Sequence, residues 1–232
     1  MKMNPRMRRG FTLVELLVVI VIIAALAGLT APMVIRQRKK ADQTEAVNNA
    51  RQIGIALFEF ETEYGSFPDD STADAVHTAT DTTKVVGNTA NDKFRQLIRA
   101  GIAQSEAMFY AKTAFTKKPD GVFTNDTQAL ADGEVGFGII TKDDNSGLSA
   151  AGNPGRPILA APFAIAMDGT FDSDFYDGKA VVLKLDNSVT SFPIVKTTGK
   201  VLISGKGILE TGTDTVWGTS TTPQWAYPKK KQ

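Results

Sequence analysis

Two hydrophobic rhythms follow one another at the start of this chain. Residues 11–35, FTLVELLVVIVIIAALAGLTAPMVI, are apolar, with Glu15 as the only charge. At about 1.5 Å rise per residue the run makes a helix of about 37 Å, enough to cross ~30 Å of hydrocarbon. A secretory signal carries an apolar region of only ~7–15 residues with a small-residue cleavage site behind it. This run is longer, and it is expected to stay as a membrane helix. From residue 36 the rhythm changes: Ala46, Ala50, Ile53, Leu57, Phe60 and Tyr64 recur at alternating spacings of four and three. That places one apolar stripe on a helix, with Asp42, Glu45, Asn49, Gln52, Glu59 and Glu63 on its other faces. Pro32 lacks an N–H and is expected to bend or loosen the turn before it, with Gly28 adding softness. Helical periodicity nevertheless resumes beyond it. Gly65 ends the pattern and Pro68 prevents its return.

Downstream the pattern is less regular. Residues 66–90 are rich in Thr, Ala and Asp and lack steady periodicity. They read as an exposed loop, with a short strand at residues 84–86. A short amphipathic helix follows, capped by Asn91 or Asp92, with Phe94, Leu97, Ile98 and Gly101 on one face. Four apolar runs bounded by turn residues then read as strands: 134–141, 157–167, 179–185 and 189–195. Asp186-Asn187-Ser188 between the last two is a hairpin signal, and residues 200–204 add an edge strand. One long helix followed by contiguous antiparallel strands predicts an α+β roll, the stripe of residues 46–64 packed on one sheet face. The segments are thus residues 1–10, a basic leader; 11–35, transmembrane; 36–64, amphipathic helix; 65–130, a loop region with a short helix; and 131–232, sheet and tail.

Composition narrows the chemistry. The chain has 232 residues, 42% hydrophobic and 22% charged, which suits one domain with a real core. Net charge is +1, too small for a general nucleic-acid footprint, so no nucleic-acid partner is expected. Lys2, Arg6, Arg8 and Arg9 supply the early positive charge, and Arg36, Arg38, Lys39 and Lys40 follow the apolar run. Basic groups on both sides leave orientation in the membrane close to a tie. With no cysteine, disulfides, thiol nucleophiles and iron–sulfur clusters are excluded. His77, the sole histidine, lies in a polar stretch and reads as an exposed loop residue rather than a catalytic base. The chain is therefore not expected to be an enzyme.

The start of the chain carries a resemblance. RRG followed by FTLVELLVVIVIIAALAGLTAP resembles the signal and N-terminal helix of type IV pilins and type II secretion pseudopilins. The match comprises a short basic leader ending in Gly10, then Phe11, then Glu15 at the fifth mature position, with Pro32 at the twenty-second. Gly65, Phe67 and Pro68 match the Gly-x-aromatic-Pro signature that closes this helix in the major pseudopilin of type II secretion. Beyond residue 68 the resemblance weakens, and the chain is longer than a typical major pseudopilin.

The resemblance implies that a prepilin peptidase cuts after Gly10 and that the new N-terminus, Phe11, is methylated. It implies that Glu15 pairs with the Phe11 amine of a neighbouring subunit, two opposite charges offsetting each other's desolvation in lipid. Glu15 and Pro32 are the expected assembly residues. In the membrane-stored monomer Glu15 could instead reach the headgroups, lying only about 7 Å inside the run. The implied partners are further copies in a helical filament, other pilins or pseudopilins, the peptidase, an inner-membrane assembly platform and membrane lipid. The implied location is the inner membrane, with the soluble part in the periplasm. A type II secretion pseudopilin is the leading expectation, since many type IV pilins staple their C-terminal region with a disulfide. The alternatives are a type IV pilus subunit and a membrane-anchored binding module.

Three loops invite sharper claims. TKDDNSG (141–147) lacks the alternating ligands of an EF-hand and reads as a turn, and GKGILETG (205–212) lacks P-loop spacing. MDGTFDSDFYDGK (167–179) places Asp168, Asp172, Asp174 and Asp177 within ten residues. Calcium takes six to eight oxygens at ~2.3–2.6 Å, and the major pseudopilin holds calcium in a C-terminal loop, so these four are candidate calcium ligands. A solvated turn is the competing expectation, because aspartate is common in turns. In the tail, Trp217, Trp225 and Tyr227 are expected to cover the open end of the sheet, or to contact a neighbouring subunit or a secreted substrate.

Overall fold

A computed structural model describes residues 11–124, 128–142 and 146–231. Gly10, the leader, and Asp143, Asp144 and Asn145 of the TKDDNSG loop lie outside the described residues. The long helix forms as the periodicity predicts: α1 runs from Leu13 to Tyr64, through Pro32, and Gly65 follows at φ +89°. Positive φ suits glycine, which has no Cβ to clash, so this is the expected helix stop. The chain divides into two compact units, one ending at Arg38 and one beginning at Lys39.

Within the second unit the stripe is buried as its spacing requires. Ala46, Ala50, Ile53, Leu57 and Phe60 are almost wholly excluded from solvent, and Tyr64 at the end is partly covered. They pack on an antiparallel sheet. Among the described residues it has seven strands: β1 (Gly138–Lys142), β2 (Pro157–Ala161), β3 (Lys179–Lys184), β4 (Val189–Val195), β5 (Lys200–Ile203), β6 (Lys206–Gly207) and β7 (Pro223–Ala226). Their order across the sheet is β6-β5-β4-β3-β2-β1-β7. Gly54 of α1 lies against the β3–β4 hairpin, where an added Cβ would sit 2.1 Å from Asn187 Oδ1 and 3.1 Å from Leu183. Gln43 Nε2 donates to Ser191 Oγ of β4 at 2.7 Å. This is an α+β, pilin-like roll.

Several expectations need correction. Residues 66–90 are not a bare loop, because Asp70–Thr80 form α2. Asp69 caps it in a reciprocal box: its Oδ1 accepts from the Ser71 and Thr72 amides at 2.8 Å, while Thr72 Oγ1 accepts from the Asp69 amide. A polar helix held by its cap and a few buried contacts has no apolar stripe to betray it. His77 is on this helix, exposed, its Nδ1 against the Thr82 carbonyl. Residues 84–86 form no strand.

The next helix, α3 (Ala90–Arg99), is capped by Thr89 rather than by Asn91 or Asp92. Both of those residues are buried instead, Asn91 Nδ2 donating to the Leu130 carbonyl at 2.8 Å. The predicted strand 134–141 begins only at Gly138, and 157–167 ends at Ala161. β5 is not the sheet edge, since β6 pairs outside it. The tail supplies the opposite edge: β7 pairs with β1, Trp225 opposite Ile140. Two prolines hid that strand, although proline at the first position of an edge strand leaves no ladder bond unmade.

Candidate functional site

The candidate site lies at the N-terminal end of α1. Thr12 precedes the helix, and its hydroxyl accepts from the Glu15 amide at 3.2 Å. In return Glu15 Oε2 accepts from the Thr12 amide at 2.8 Å and from the Thr12 hydroxyl at 2.7 Å. This is a capping box. Its signal, Thr-x-x-Glu, stands in the sequence at residues 12–15. The amides of a first helical turn have no partner within the helix, and Glu15 satisfies one of them.

Every residue from 11 to 38 is exposed. Leu13, Val14, Leu16 and Ile22 each show more than half of their surface, an arrangement that water does not support. The helix is long and apolar enough to cross a membrane. Pro32 lies inside it, leaving the Gly28 carbonyl without its usual helical donor, and a Cβ added at Gly28 would meet open space. An apolar cylinder with one carboxylate at its tip needs lipid or other helices around it.

The remaining predicted site residues are placed differently. Asp168 Oδ1 accepts from the Thr170 amide at 3.0 Å and its hydroxyl at 2.6 Å. The Thr170 hydroxyl, with its amide, holds the Asp168 carboxyl below its ordinary range. Asp172 accepts from the Asp174 amide at 2.9 Å. Asp168 and Asp172 thus each close a local turn. Among the described residues the four aspartates supply no group of three within 4.8 Å, whereas Glu106, Asp120 and Glu134 do. Nothing in the sequence spacing pointed to that second set.

The tail tryptophans divide. Trp217 is fully buried, its Nε1 donating to the Ile208 carbonyl at 2.6 Å with the Arg156 guanidinium 5.5 Å from the ring centre. It belongs to the core and offers no surface to a neighbour. Trp225 is half-buried, edge-on to Phe163 at 4.9 Å.

Residues 5–31 match the family model described as the prokaryotic N-terminal methylation motif. The chain is similar to the type II secretion system core protein G of Aeromonas hydrophila, 38% identical over 66 residues, 28% of this chain and 46% of that protein. Similarity to the protein of the same name in Escherichia coli (strain K12) is 29% over 130 residues, 56% of this chain and 76% of the relative. The type IV major pilin protein PilA of Myxococcus xanthus (strain DK1622) is 37% identical over 68 residues, 29% of this chain and 30% of that protein. The chain thus spans less than half of the Aeromonas relative. No solved structure matches it.

Proposed function

We propose that this chain is a pseudopilin of type II secretion, within the type IV pilin and pseudopilin family of structural subunits that assemble with other pilins into filaments, a reading supported by the methylation motif and the similarity to core protein G. In this reading the helix tip of residues 11–38 is stored in the inner membrane, with the unit from Lys39 onward in the periplasm. A prepilin peptidase removes the leader after Gly10 and methylates Phe11. An assembly platform then passes the subunit into a filament. The observation that carries the reading is the exposed apolar helix with a single carboxylate at its tip.

Glu15 has two states in this scheme. In the single chain it is bound to Thr12. After cleavage the Phe11 amine becomes a cation, and a carboxylate from a neighbouring subunit can neutralise it in lipid, where either charge alone costs about 2.5–3.5 kcal/mol. Pairing across subunits fixes their stagger along the filament. The absence of cysteine favours a pseudopilin over a type IV pilus subunit, and the likeness to the Myxococcus pilin favours the pilus.

The test is filament assembly by Glu15→Ala in the native envelope, with intact mass read on the assembled protein. The wild type should form filaments whose subunits lack the first ten residues. The variant should enter the membrane and fold but give few or no filaments. Normal filament number in Glu15→Ala, or filaments of uncleaved subunits, would refute the scheme.

A further inference from the structure

Strands from opposite ends of the sheet meet at one cavity. Among the described residues β6 is outermost on one side and β7 on the other. Yet a space of about 330 Å³ is lined from β5 and β6, by Lys200 and Gly207, and from β7, by Trp225. The sheet therefore curls until its two edges face each other. The hairpin of residues 163–171 fills part of the gap. The Phe171 amide donates to the Gly199 carbonyl at 2.7 Å, and the Phe163 ring stands edge-on to Trp225, their centres 4.9 Å apart. The space left open matches the smaller natural ligand sites, and the mouth of a curled sheet is a preferred place for one.

The walls divide by chemistry. Phe171, Ile208 and the half-buried Trp225 give an apolar, largely aromatic side, while Asp168, Lys200 and Glu210 are exposed at the rim. Thr170 occupies only Oδ1 of Asp168; Oδ2 accepts from no other residue among those described. Lys200 closes no ion pair among the described residues, though its charge adds to the Thr170 hydrogen bonds in holding the Asp168 carboxyl below its ordinary range. Glu210 is already met by the Gly207 amide at 2.8 Å and the Lys206 ammonium at 3.4 Å. We propose that this cavity binds a neutral sugar, a pyranose ring carrying neighbouring hydroxyls. Asp168 and Glu210 repel an anion and Lys200 repels a cation, so the rim favours a ligand without net charge. A hydroxyl both donates and accepts, so adjacent hydroxyls donate to Asp168 Oδ2 and accept from the Lys200 ammonium. Hydrogen bonds to charged groups are stronger than neutral ones. The C–H face of the ring covers the open part of the Trp225 indole and displaces water from an apolar surface. A zwitterion also offers both signs, but exposed ion pairs contribute little in water and make no use of the aromatic wall. The site lies within the unit from Lys39 onward and is independent of the role of the membrane helix.

The experiment titrates the full chain in detergent with maltose, lactose and chitobiose, and separately with the zwitterionic dipeptide glycyl-phenylalanine. Tryptophan emission and calorimetry are read together. Wild type should bind at least one of the sugars at about millimolar concentration, the affinity that a few exposed hydrogen bonds and one stacking face leave after the cost of association. Emission should change through Trp225, since Trp217 is fully buried and out of reach of a ligand. Asp168→Asn keeps an acceptor for Thr170, and Lys200→Met removes only the ammonium, so both should melt like wild type without sugar. Each should bind the sugar about tenfold or more weakly, the worth of one hydrogen bond to a charged group. Lys196→Met, an exposed lysine that does not line the cavity, should bind like wild type. The proposal is overturned if no sugar binds wild type up to about 50 mM, far above such an affinity. It is equally overturned if both Asp168→Asn and Lys200→Met bind sugar like wild type, or if the dipeptide fills the site and the sugars do not.

Discussion

One helix lives under two rules. In residues 13–35 every side chain of α1 is exposed and, Glu15 apart, the surface is apolar or uncharged all round. In residues 39–64 the same helix buries one stripe, Ile53, Leu57 and Phe60 being fully excluded from solvent, and shows charge elsewhere. The first half has no complement within the chain and must find it in lipid or in other subunits. The second half has its complement in β3 and β4. Periodicity separates the two cases: an all-round apolar helix is solvated by something other than water, whereas a narrow stripe is matched to a single face.

The same aspartate substitution at one site in each half should give the sharpest contrast. Phe60→Asp places an unpaired charge in a fully buried position, and the unit from Lys39 onward should fail to fold or lose its cooperative melt. Ile22→Asp, more than half exposed, should leave that melt unchanged. It should instead weaken membrane retention by about 2.5–3.5 kcal/mol. Thermal unfolding in detergent and membrane fractionation read both effects. A normal melt for Phe60→Asp would mean that the packed face is wrongly assigned.

A second contrast lies in the two carboxylate caps. Among the described residues Glu15 bonds to Thr12, three residues away, a purely local cap. Asp69 caps α2 and also accepts from the Gly147 amide at 2.9 Å, binding two distant segments. Burial pushes its carboxyl up, but donation from the Gly147, Thr72 and Ser71 amides and the Ser71 hydroxyl outweighs this and holds it below the ordinary range. A carboxyl lowered on folding stabilises fully above its unfolded pKa and loses that contribution as pH falls through the folded one. Wild type should therefore lose stability below the ordinary aspartate range. Asp69→Asn should show less of that acid loss and cost about 1–2 kcal/mol at neutral pH, having turned an acceptor into a mismatched amide. Melting against pH checks it, and parallel curves for the two proteins would refute the role.

The smallest effect uses two glycines of α1. Gly28→Ala meets nothing within 4 Å and should not alter the melt of the unit from Lys39 onward. Gly54→Ala gains about 1 kcal/mol of helix propensity but drives a Cβ to 2.1 Å from Asn187 Oδ1 and 3.1 Å from Leu183. Overpacking of this kind costs about 1–3 kcal/mol, so a net fall of roughly 2–4 °C in midpoint is expected. A rise would show that the hairpin turn yields freely.

Local chemistry written in consecutive residues was legible without coordinates. The extent of α1, its stop at Gly65, the stripe from Ala46 to Phe60 and the β3–β4 hairpin all follow from periodicity, glycine and turn residues acting over a few positions. So does the placement of Glu15 near the tip of an apolar run. What tertiary structure decided is of another kind. α2 exists through Asp69 and its distant partner Gly147, and β7 through pairing with β1 more than 80 residues earlier. The meeting of Glu106, Asp120 and Glu134 likewise depends on how an irregular chain folds back on itself. Contacts between residues far apart in sequence leave no period along the chain, because neither partner alone shows the pattern that the pair completes.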